Sequence, residues 1–549
     1  MKIIIVGGVA GGASAATRLR RLDETAEIIL VERGENISYA TCGLPYYIGE
    51  VIEKRDSLLV QTPAAISKRF GLDIRVLQEV RKINPSAKEV EIENLQTGEI
   101  YRESYDYLIL SPGASPLVPP LPGVELRGVF TLRTVSDSVE IKDWIKANKA
   151  QKAVVVGGGF IGLEVAENFK HFGLDVTVVE AQDQVLAPLD KEMAAYIHKK
   201  MRAKGVDLFL NEPVVAFVGQ EKLQAVVLKS GKKVDADLVV LAIGVRPENK
   251  LAVEAGLKIG KTGGILVDEY FCTSDPSIYA LGDAVEVTNF VSGEKALIPL
   301  AGPAQKQARI VADRLMGKKV KGYQGTLGTS IVKVFDLVAA TTGLNEKTLK
   351  KLDIPYLTSY THPDAYAAYY PGGDHMCIKL LFTPDDGKVL GAQIIGSVGV
   401  DKRIDILATS IRKQFTVYDL VDLELAYAPP FSSAKDPTNV AGQVACNILA
   451  GDVEIVHWHE LQKLQEDGAI IVDIREPHEL AKGMINGAIH IPLDELRNSM
   501  TELPKDKMLI LYCRAGLRSY IGYRLLKAYG YQVKSLSGGY LTYKISHFN

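Results

Sequence analysis

The chain writes one strand–turn–helix–strand pattern twice, and that repetition restricts its fold more than any other feature. Lys2-Ile-Ile-Ile-Val6 runs into Gly7, Gly8, Gly11 and Gly12, an Ala- and Arg-bearing helical stretch follows, and Ile28-Ile-Leu-Val-Glu32 closes the unit. Ala153-Val-Val-Val156 then runs into Gly157, Gly159 and Gly162, with a helical stretch through Lys170 and a second strand, Val176-Thr-Val-Val-Glu180. Strands that are apolar along their whole length are buried on both faces, as a parallel sheet covered by helices requires. The expectation is an α/β protein with two Rossmann-like sheets. At 549 residues the chain exceeds a single core, and its length suggests roughly three to five domains.

Gly157-x-Gly159-x-x-Gly162 fits the dinucleotide fingerprint in full. Its glycines allow the tight turn and the close approach of backbone to a pyrophosphate resting on the helix N-terminus. Glu180, ending the second strand, stands where a carboxylate accepts hydrogen bonds from adenosine ribose hydroxyls. That favours NADH over NADPH, whose 2′-phosphate prefers arginine. The first turn is less regular, with Val9 in the middle-glycine place. Glu32 and the distant Gly282-Asp283, at the end of the short strand Ile278-Tyr-Ala-Leu, strengthen it: such an aspartate can hold a ribityl hydroxyl and orient a flavin. Two nucleotide units imply FAD and a nicotinamide dinucleotide. Arg33, Ser111, Gly113, Glu164 and Gly244 are expected to border these cofactors.

Between the units, Leu108-Ile-Leu-Ser-Pro-Gly-Ala-Ser-Pro116 reads as a crossover, and Leu238 to Gly244, followed by Arg246-Pro, as the return. From about Tyr323 to Cys446 the sequence alternates like antiparallel strands, with helical sequence from Asp401 to Gln414. Gly451-Asp452 opens a last stretch of about 100 residues, the size of one small domain. There Ala469 to Arg475 and Met508 to Cys513 read as buried strands. The expected domains are 1–112 with 246–322, 113–245, 323–450 and 451–549.

A net charge of −2 gives no electrostatic reason for nucleic-acid binding. Five scattered cysteines make neither a disulfide framework nor a metal site. No apolar stretch reaches the ~18 residues a membrane span needs, and the apolar opening has the length of a strand rather than of a signal peptide. A cytoplasmic protein with reduced thiols is expected. Cys42, in Ser38-Tyr-Ala-Thr-Cys-Gly-Leu-Pro45, has Tyr47 five positions on, where a dithiol reductase keeps its second cysteine. A lone thiol passes through a mixed disulfide, a persulfide or a sulfenic acid. Cys272, Cys377 and Cys446 lack such a setting and read as structural.

Residues 1 to about 446 resemble the pyridine nucleotide–disulfide oxidoreductases, in particular the single-cysteine coenzyme A-disulfide reductases. The resemblance is carried by Ser38 to Glu50, Tyr369-Tyr-Pro-Gly372, Asp401-Lys-Arg-Ile-Asp405 and Ala426-Tyr-Ala-Pro-Pro-Phe-Ser-Ser-Ala-Lys-Asp436. It implies an FAD- and NADH-binding pair of domains, an α+β dimerisation domain, and a homodimer whose partner subunit completes each active site. It also implies that Cys42 sits beside the flavin, and that Tyr369 and Tyr427 assist protonation of the leaving thiolate. Ser14, Arg18, Arg21, Ser38 and Lys435 match positions that contact coenzyme A as substrate or mixed disulfide. Arg18 and Arg21, three apart on a helix, form a cradle for phosphates. The rival NADH oxidase and peroxidase branch carries a histidine in the first glycine turn, and this chain has none before His171.

Cys513-Arg-Ala-Gly-Leu-Arg518-Ser519 lies between a buried strand and a helix, so backbone N–H groups and helix dipole face the sulfur. Arg514 and Arg518 add positive charge. With Val472 to Glu479, Gly487 to Pro492 and Ser537-Gly-Gly539, this loop resembles the rhodanese sulfurtransferases and implies a C-terminal α/β rhodanese domain. Four residues separate Cys513 from Arg518, which suits one sulfane sulfur; the related phosphatases have five. The function expected is NADH-driven reduction of coenzyme A persulfide, polysulfide or coenzyme A disulfide through Cys42, coupled to sulfane-sulfur handling at Cys513. The alternative is an NADH oxidase or peroxidase whose last domain only docks a partner.

Overall fold

The computed structural model describes residues 1–548. Its contacts form two compact units, Met1–Asp183 with Gly205–Gly328, and Gln184–Lys204 with Thr329–Asn549.

The first unit holds both repeated patterns. Lys2–Val6 is the central strand of an all-parallel sheet ordered Ile278–Ala280, Tyr107–Leu110, Lys2–Val6, Glu27–Glu32, Asp73–Val76. Lys152–Val156 is central in a second, ordered Val206–Phe209, Asp175–Val179, Lys152–Val156, Leu238–Leu241, Val129–Thr131. Ile3, Ile4 and Ile5 have no exposed surface, as do Val154 and Val155. Each sheet is packed by helices and by a small antiparallel sheet, Val80, Ile83, Val90 and Ile92 joining the first core and Val214, Phe217, Val226 and Leu228 the second, which is why the strands do not alternate. In each sheet the chain leaves the central strand at a glycine turn between two neighbours whose connections run opposite ways, the place where open α/β sheets bind ligands. Two small antiparallel sheets, Gln78–Asn84 with Glu89–Asn94 and Ile100–Ser104, and Val214–Gly219 with Leu223–Leu228 and Lys233–Asp235, are additional to the sequence expectation.

The crossover joins these sheets by a short antiparallel pair, Ala114–Pro116 with Val245–Pro247. Arg133 clamps it, reaching Ser115 Oγ at 2.8 Å, Glu248 at 3.2 Å and the Pro112 carbonyl at 3.0 Å.

The second unit contains an antiparallel sheet, ordered Ser330–Val334, Leu337–Gly343, Val389–Gly396, Cys377–Phe382, Leu357–Thr361, with the helix Val400–Lys413 packed on it. It also contains a parallel sheet ordered Ile455–Val456, Val533–Leu536, Leu509–Tyr512, Ile470–Asp473, Ile489–His490. Among the described residues no helix is long and apolar enough to cross a membrane.

Gln184–Lys204 lies in sequence inside the 113–245 stretch but groups with the second unit. Its helix packs on that unit through fully buried Met193 and Ile197, and a buried ion cluster ties it there. Lys379, fully buried, places its ammonium 2.8 Å from Asp190, 2.6 Å from Glu192 and 2.6 Å from Glu346. Burial pushes the Glu346 carboxyl up, but the Lys379 charge and hydrogen bonds outweigh it and hold it at about 2. Ionised Glu346 therefore stabilises the fold above its unfolded value of 4.5, and that contribution is lost as pH falls through about 2. Replacing Lys379 by Met leaves three carboxylates without their counter-charge. Denaturant unfolding of Lys379→Met should show a destabilisation of about 3–5 kcal/mol in the second unit, with part of the loss recovered when acid protonates the carboxyls.

Candidate functional site

In both glycine turns the backbone approaches itself too closely for a side chain. A Cβ on Gly12 would stand 1.8 Å from the Gly7 carbonyl oxygen, and one on Gly162 would stand 2.0 Å from that of Gly157. Gly7 and Gly157, at φ +94° and +110°, would drive a Cβ into the carbonyls of Ser111 and Ala242. At Gly159, by contrast, a Cβ meets nothing within 4 Å. That position faces open space, where a pyrophosphate could approach the amides; Val9 holds the matching place in the first turn.

Glu32 and Glu180 do more than wait for a ribose. Glu32 accepts from Gly8 N and Gly34 N, each at 2.8 Å, and Glu180 accepts from Gly158 N at 2.7 Å and Gln182 N at 2.8 Å. Each carboxylate pins its glycine turn and keeps lone pairs free for hydroxyl donors. Gly282 N is held by Gln307 Oε1 at 2.7 Å, and burial raises the carboxyl of Asp283. Ser111 N donates to Val6 O at 2.8 Å, Gly113 O accepts from Glu248 N at 3.0 Å, and Gly244 O accepts from Leu117 N at 2.9 Å. Arg33 pairs with Glu248 at 3.3 Å. The two cradles, with glycines where a Cβ would block the turn and a carboxylate at each second strand, fit the adenine dinucleotides FAD and NADH.

Cys42 is exposed in a short 3-10 turn, Thr41–Gly43, that leads directly into the helix Leu44–Ile48. This helix packs on Phe160–Phe172, the helix after the second glycine turn. The approach is close: a Cβ on Gly49 would lie 2.3 Å from Asn168 Oδ1. Tyr46 Oη donates to Glu164 Oε1 at 3.4 Å, and burial pushes the Glu164 carboxyl up to about 7. Ser38 adopts φ +48°, rare for a serine, and its N–H bonds Gly8 O at 2.9 Å. The cysteine turn is thus tied to both cradles.

The expected phosphate cradle is divided. Arg18 is already paired with Asp313, Nε–Oδ1 2.8 Å and Nη2–Oδ1 2.7 Å, while the exposed Arg21 lies 6.0 Å from the Phe70 ring centre. Helical spacing places both on one helix but does not reveal a carboxylate that arrives from a residue 295 positions away. Ser14 is half-buried on the same helix.

Tyr369 Oη and Tyr427 Oη are 2.9 Å apart, and their hydrogen bond raises the Tyr427 hydroxyl above its ordinary value. Arg403, fully buried, sets this pair. Its guanidinium bonds Asp436 at 2.9 Å, Ser432 Oγ at 2.8 Å and Ala365 O at 3.2 Å, gathering the segments that carry Tyr369, Tyr427 and the exposed Lys435. A buried charge in an amphipathic helix, with an aspartate at the start of the next, was the available signal.

Cys513 is buried at the end of Leu509–Tyr512, and its Sγ accepts from Gly516 N at 3.1 Å. Gly516, at φ +122°, makes the bend that turns this amide inward. Ser519 Oγ lies 3.8 Å from the sulfur. Arg518 does not offer a free charge: it forms a two-pronged pair with Glu479 at 2.6 and 2.9 Å. That pair, against some burial, holds Glu479 at about 2. Arg475, bonded to Asp473 and to Gly483 O at 2.8 Å, fixes the segment that carries Glu479.

Residues 1–308 match the pyridine nucleotide-disulphide oxidoreductase family, 329–437 its dimerisation domain and 457–546 the rhodanese-like domain. The chain belongs to the pyridine nucleotide-disulphide oxidoreductase family. It is 38% identical to an NADH oxidase of Methanocaldococcus jannaschii over 82% of the chain and 100% of that protein. It is 37% identical to a coenzyme A disulfide reductase of Staphylococcus haemolyticus, over 81% and 99%. The solved structure of reduced Bacillus anthracis CoADR-RHD matches 99% of the chain and 98% of its own at 53% identity, with a TM-score of 0.98. An NAD-dependent persulfide reductase from A. fulgidus matches 99% and 100% at 39% identity and 0.94.

The two glycines of the second turn should separate in mutation. Gly162→Ala, with no room, should lose NADH-dependent activity outright. Gly159→Ala should fold normally and raise the KM for NADH by roughly tenfold, the loss of about 1.4 kcal/mol of contact. Steady-state kinetics beside flavin absorbance would show both.

Proposed function

We propose that the chain reduces the sulfur–sulfur bond of a coenzyme A persulfide, a polysulfide or coenzyme A disulfide with NADH, and handles sulfane sulfur at Cys513. The observation that carries this is a single exposed thiol, Cys42, on a turn tied to both nucleotide cradles, with all five cysteines unpaired. The names of the coenzyme A disulfide reductase and persulfide reductase relatives support the same chemistry.

In this reading the domains are 1–112 with 246–322 for FAD, 113–245 for NADH, 323–450 for dimerisation and 451–549 for sulfur transfer. FAD, when bound, supplies the relay that brings the electron pair of NADH to the Cys42 sulfur. The Cys42 thiolate attacks the outer sulfur of a coenzyme A persulfide, which forms a Cys42 persulfide and breaks the bond to the coenzyme A thiolate. Two electrons then break the Cys42 persulfide, releasing hydrosulfide and restoring the thiolate. With coenzyme A disulfide the same attack forms a mixed disulfide, and each half leaves as a thiolate. Tyr369 and Tyr427, hydrogen-bonded to each other, donate to that leaving sulfur. Two copies assemble, each completing the other's site. The exposure of Tyr369, 75%, and Phe431, 69%, supports a covering partner. Ser14, Arg21, Ser38 and Lys435 hold coenzyme A; Arg18, engaged by Asp313, contributes less than its spacing implies.

Cys42→Ser should abolish NADH-dependent thiol or hydrosulfide release while the protein stays yellow; turnover that persisted would remove Cys42 from the scheme. Cys513→Ala should leave that reduction intact and abolish sulfur transfer from thiosulfate. Unchanged transfer would make the last domain a docking module. The name of the M. jannaschii relative favours a second reading, NADH oxidase. It predicts rapid NADH oxidation by oxygen with no sulfur compound present.

A further inference from the structure

His362 is a part-buried titratable group that neither thiol nor the Lys379 cluster uses. It directly follows the strand Leu357–Thr361 at the edge of the antiparallel sheet. Its Nε2 lies 2.8 Å from Thr542 Oγ1, and two residues earlier Tyr360 N donates to Ser537 Oγ at 3.3 Å. Both partners belong to the rhodanese-like segment, and they bracket the turn Gly538-Gly539.

That turn is one peptide thick between two walls. Both glycines are left-handed, at φ +71° and +59°. A Cβ on Gly538 would lie 2.7 Å from Tyr360 Cβ and 2.1 Å from Thr542 Oγ1, and one on Gly539 would lie 2.5 Å from the Cys513 carbonyl oxygen. The helix Gly539–Ser546 starts there. Its first amides hold the cysteine loop from behind, Tyr540 N donating to Cys513 O at 2.8 Å and Leu541 N to Arg514 O at 3.0 Å. Any movement of this helix is therefore a movement of Cys513.

We propose that His362 is a positioning residue for Cys513, anchoring through Thr542 the helix whose N-terminal amides orient the sulfur-carrying loop. The dimerisation sheet thereby forms the back wall of the sulfurtransferase site. Burial pushes the His362 imidazole down to about 3, and His375 and Arg514 push it the same way, so it stays neutral at working pH and acts as a constant prop. The proposal rests on Cys513 carrying sulfur, and its test includes a readout that does not.

The full-length flavoprotein is compared as wild type, His362→Ala, His362→Gln, Thr542→Val and the Ala/Val double variant. Three rates are followed: thiosulfate-dependent sulfur transfer, NADH-dependent reduction, and alkylation of Cys513 by iodoacetamide against pH, read on the Cys513 peptide. His362→Ala and Thr542→Val should each lower sulfur-transfer kcat by roughly tenfold, as small misplacements of a reacting group do. Each should move the Cys513 alkylation midpoint upward, because the Gly516 amide no longer meets the sulfur squarely. The double variant should be no worse than His362→Ala, which removes the Thr542 bond together with the one to the Gly538 backbone. His362→Gln, which keeps a nitrogen donor near Nε2, should recover most of the rate, and NADH-dependent reduction should be unchanged in all.

Thr542→Val keeps the side-chain volume and decides the question even where His362→Ala does not fold. Wild-type transfer and a wild-type alkylation profile in that variant would overturn the proposal. So would additive losses in the double variant, or reduction falling in parallel with transfer. If the wild type shows no Cys513-dependent transfer, the sulfurtransferase reading itself fails, and the alkylation profiles alone decide the positioning role.

Discussion

At the carboxyl ends of its central parallel strands the backbone comes so near the following segment that no Cβ fits between, and the chemistry of the chain is built on that contact. Gly12 meets Gly7, Gly162 meets Gly157, and Gly539 meets Cys513, each within 2.5 Å of where a side chain would begin. Three sheets that share no strand reach the same solution. In the first two the helix start is left open to a phosphate, and in the third the helix amides of Tyr540 and Leu541 hold the Cys513 loop while Gly516 N meets the sulfur. Glycine in such turns costs conformational entropy. The strands that feed them offset it: their fully buried Ile, Val and Leu side chains are each worth about 1.5–3 kcal/mol of transfer free energy.

Charge in this protein is used more for placement than for attraction to ligands. Glu32 and Glu180 strap their glycine turns, Glu479 takes up Arg518, and Asp313 takes up Arg18. Lys379 and Arg403 are fully buried and each gathers groups from two other chain segments. Buried ions of this kind add little net stability against an apolar replacement, but they penalise every arrangement that leaves a partner unpaired. In 184–204 that selection adds to apolar packing, since Val185, Met193 and Ile197 are fully buried, whereas the Tyr369 and Tyr427 side chains are exposed.

The same distinction explains what could be read from the sequence. The parallel strands, both glycine turns, the lone Cys42 and the Cys513 loop were legible because burial on two faces, tight turns and anion-binding loops leave local signatures a few residues long. The α/β class with an α+β dimerisation domain and a rhodanese domain follows from them. Partners set by tertiary packing were not legible. Lys379 meets Glu192 across 187 positions and Arg18 meets Asp313 across 295, distances at which no spacing rule operates. The Asp313 partner of Arg18 and the Glu479 partner of Arg518 therefore appear only in the fold. Tyr46 lies inside the cysteine motif, yet its link to Glu164 exists only once two helices pack. The two small antiparallel sheets escaped because no glycine turn or chemical motif marks them: one alternates polar residues, as in Glu89–Asn94, and the other is apolar, as in Val214–Gly219, with nothing local to say what it pairs with.

The settings of the five cysteines divide sulfur chemistry between two of them. Burial raises the thiols of Cys272 and Cys446, and pushes that of Cys377 to about 12. At neutral pH these three stay protonated, and a thiol attacks a sulfur–sulfur bond far more slowly than a thiolate. Cys42 stands in solvent on a three-residue turn, open to a substrate as large as a nucleotide thiol. Cys513 is as buried as Cys377 but has the Gly516 amide aimed at its sulfur and Ser519 Oγ beside it. That amide replaces the water that burial removes. In the proposed function, the open setting of Cys42 admits a bulky persulfide or disulfide, and the enclosure of Cys513 suits a single transferable sulfur atom.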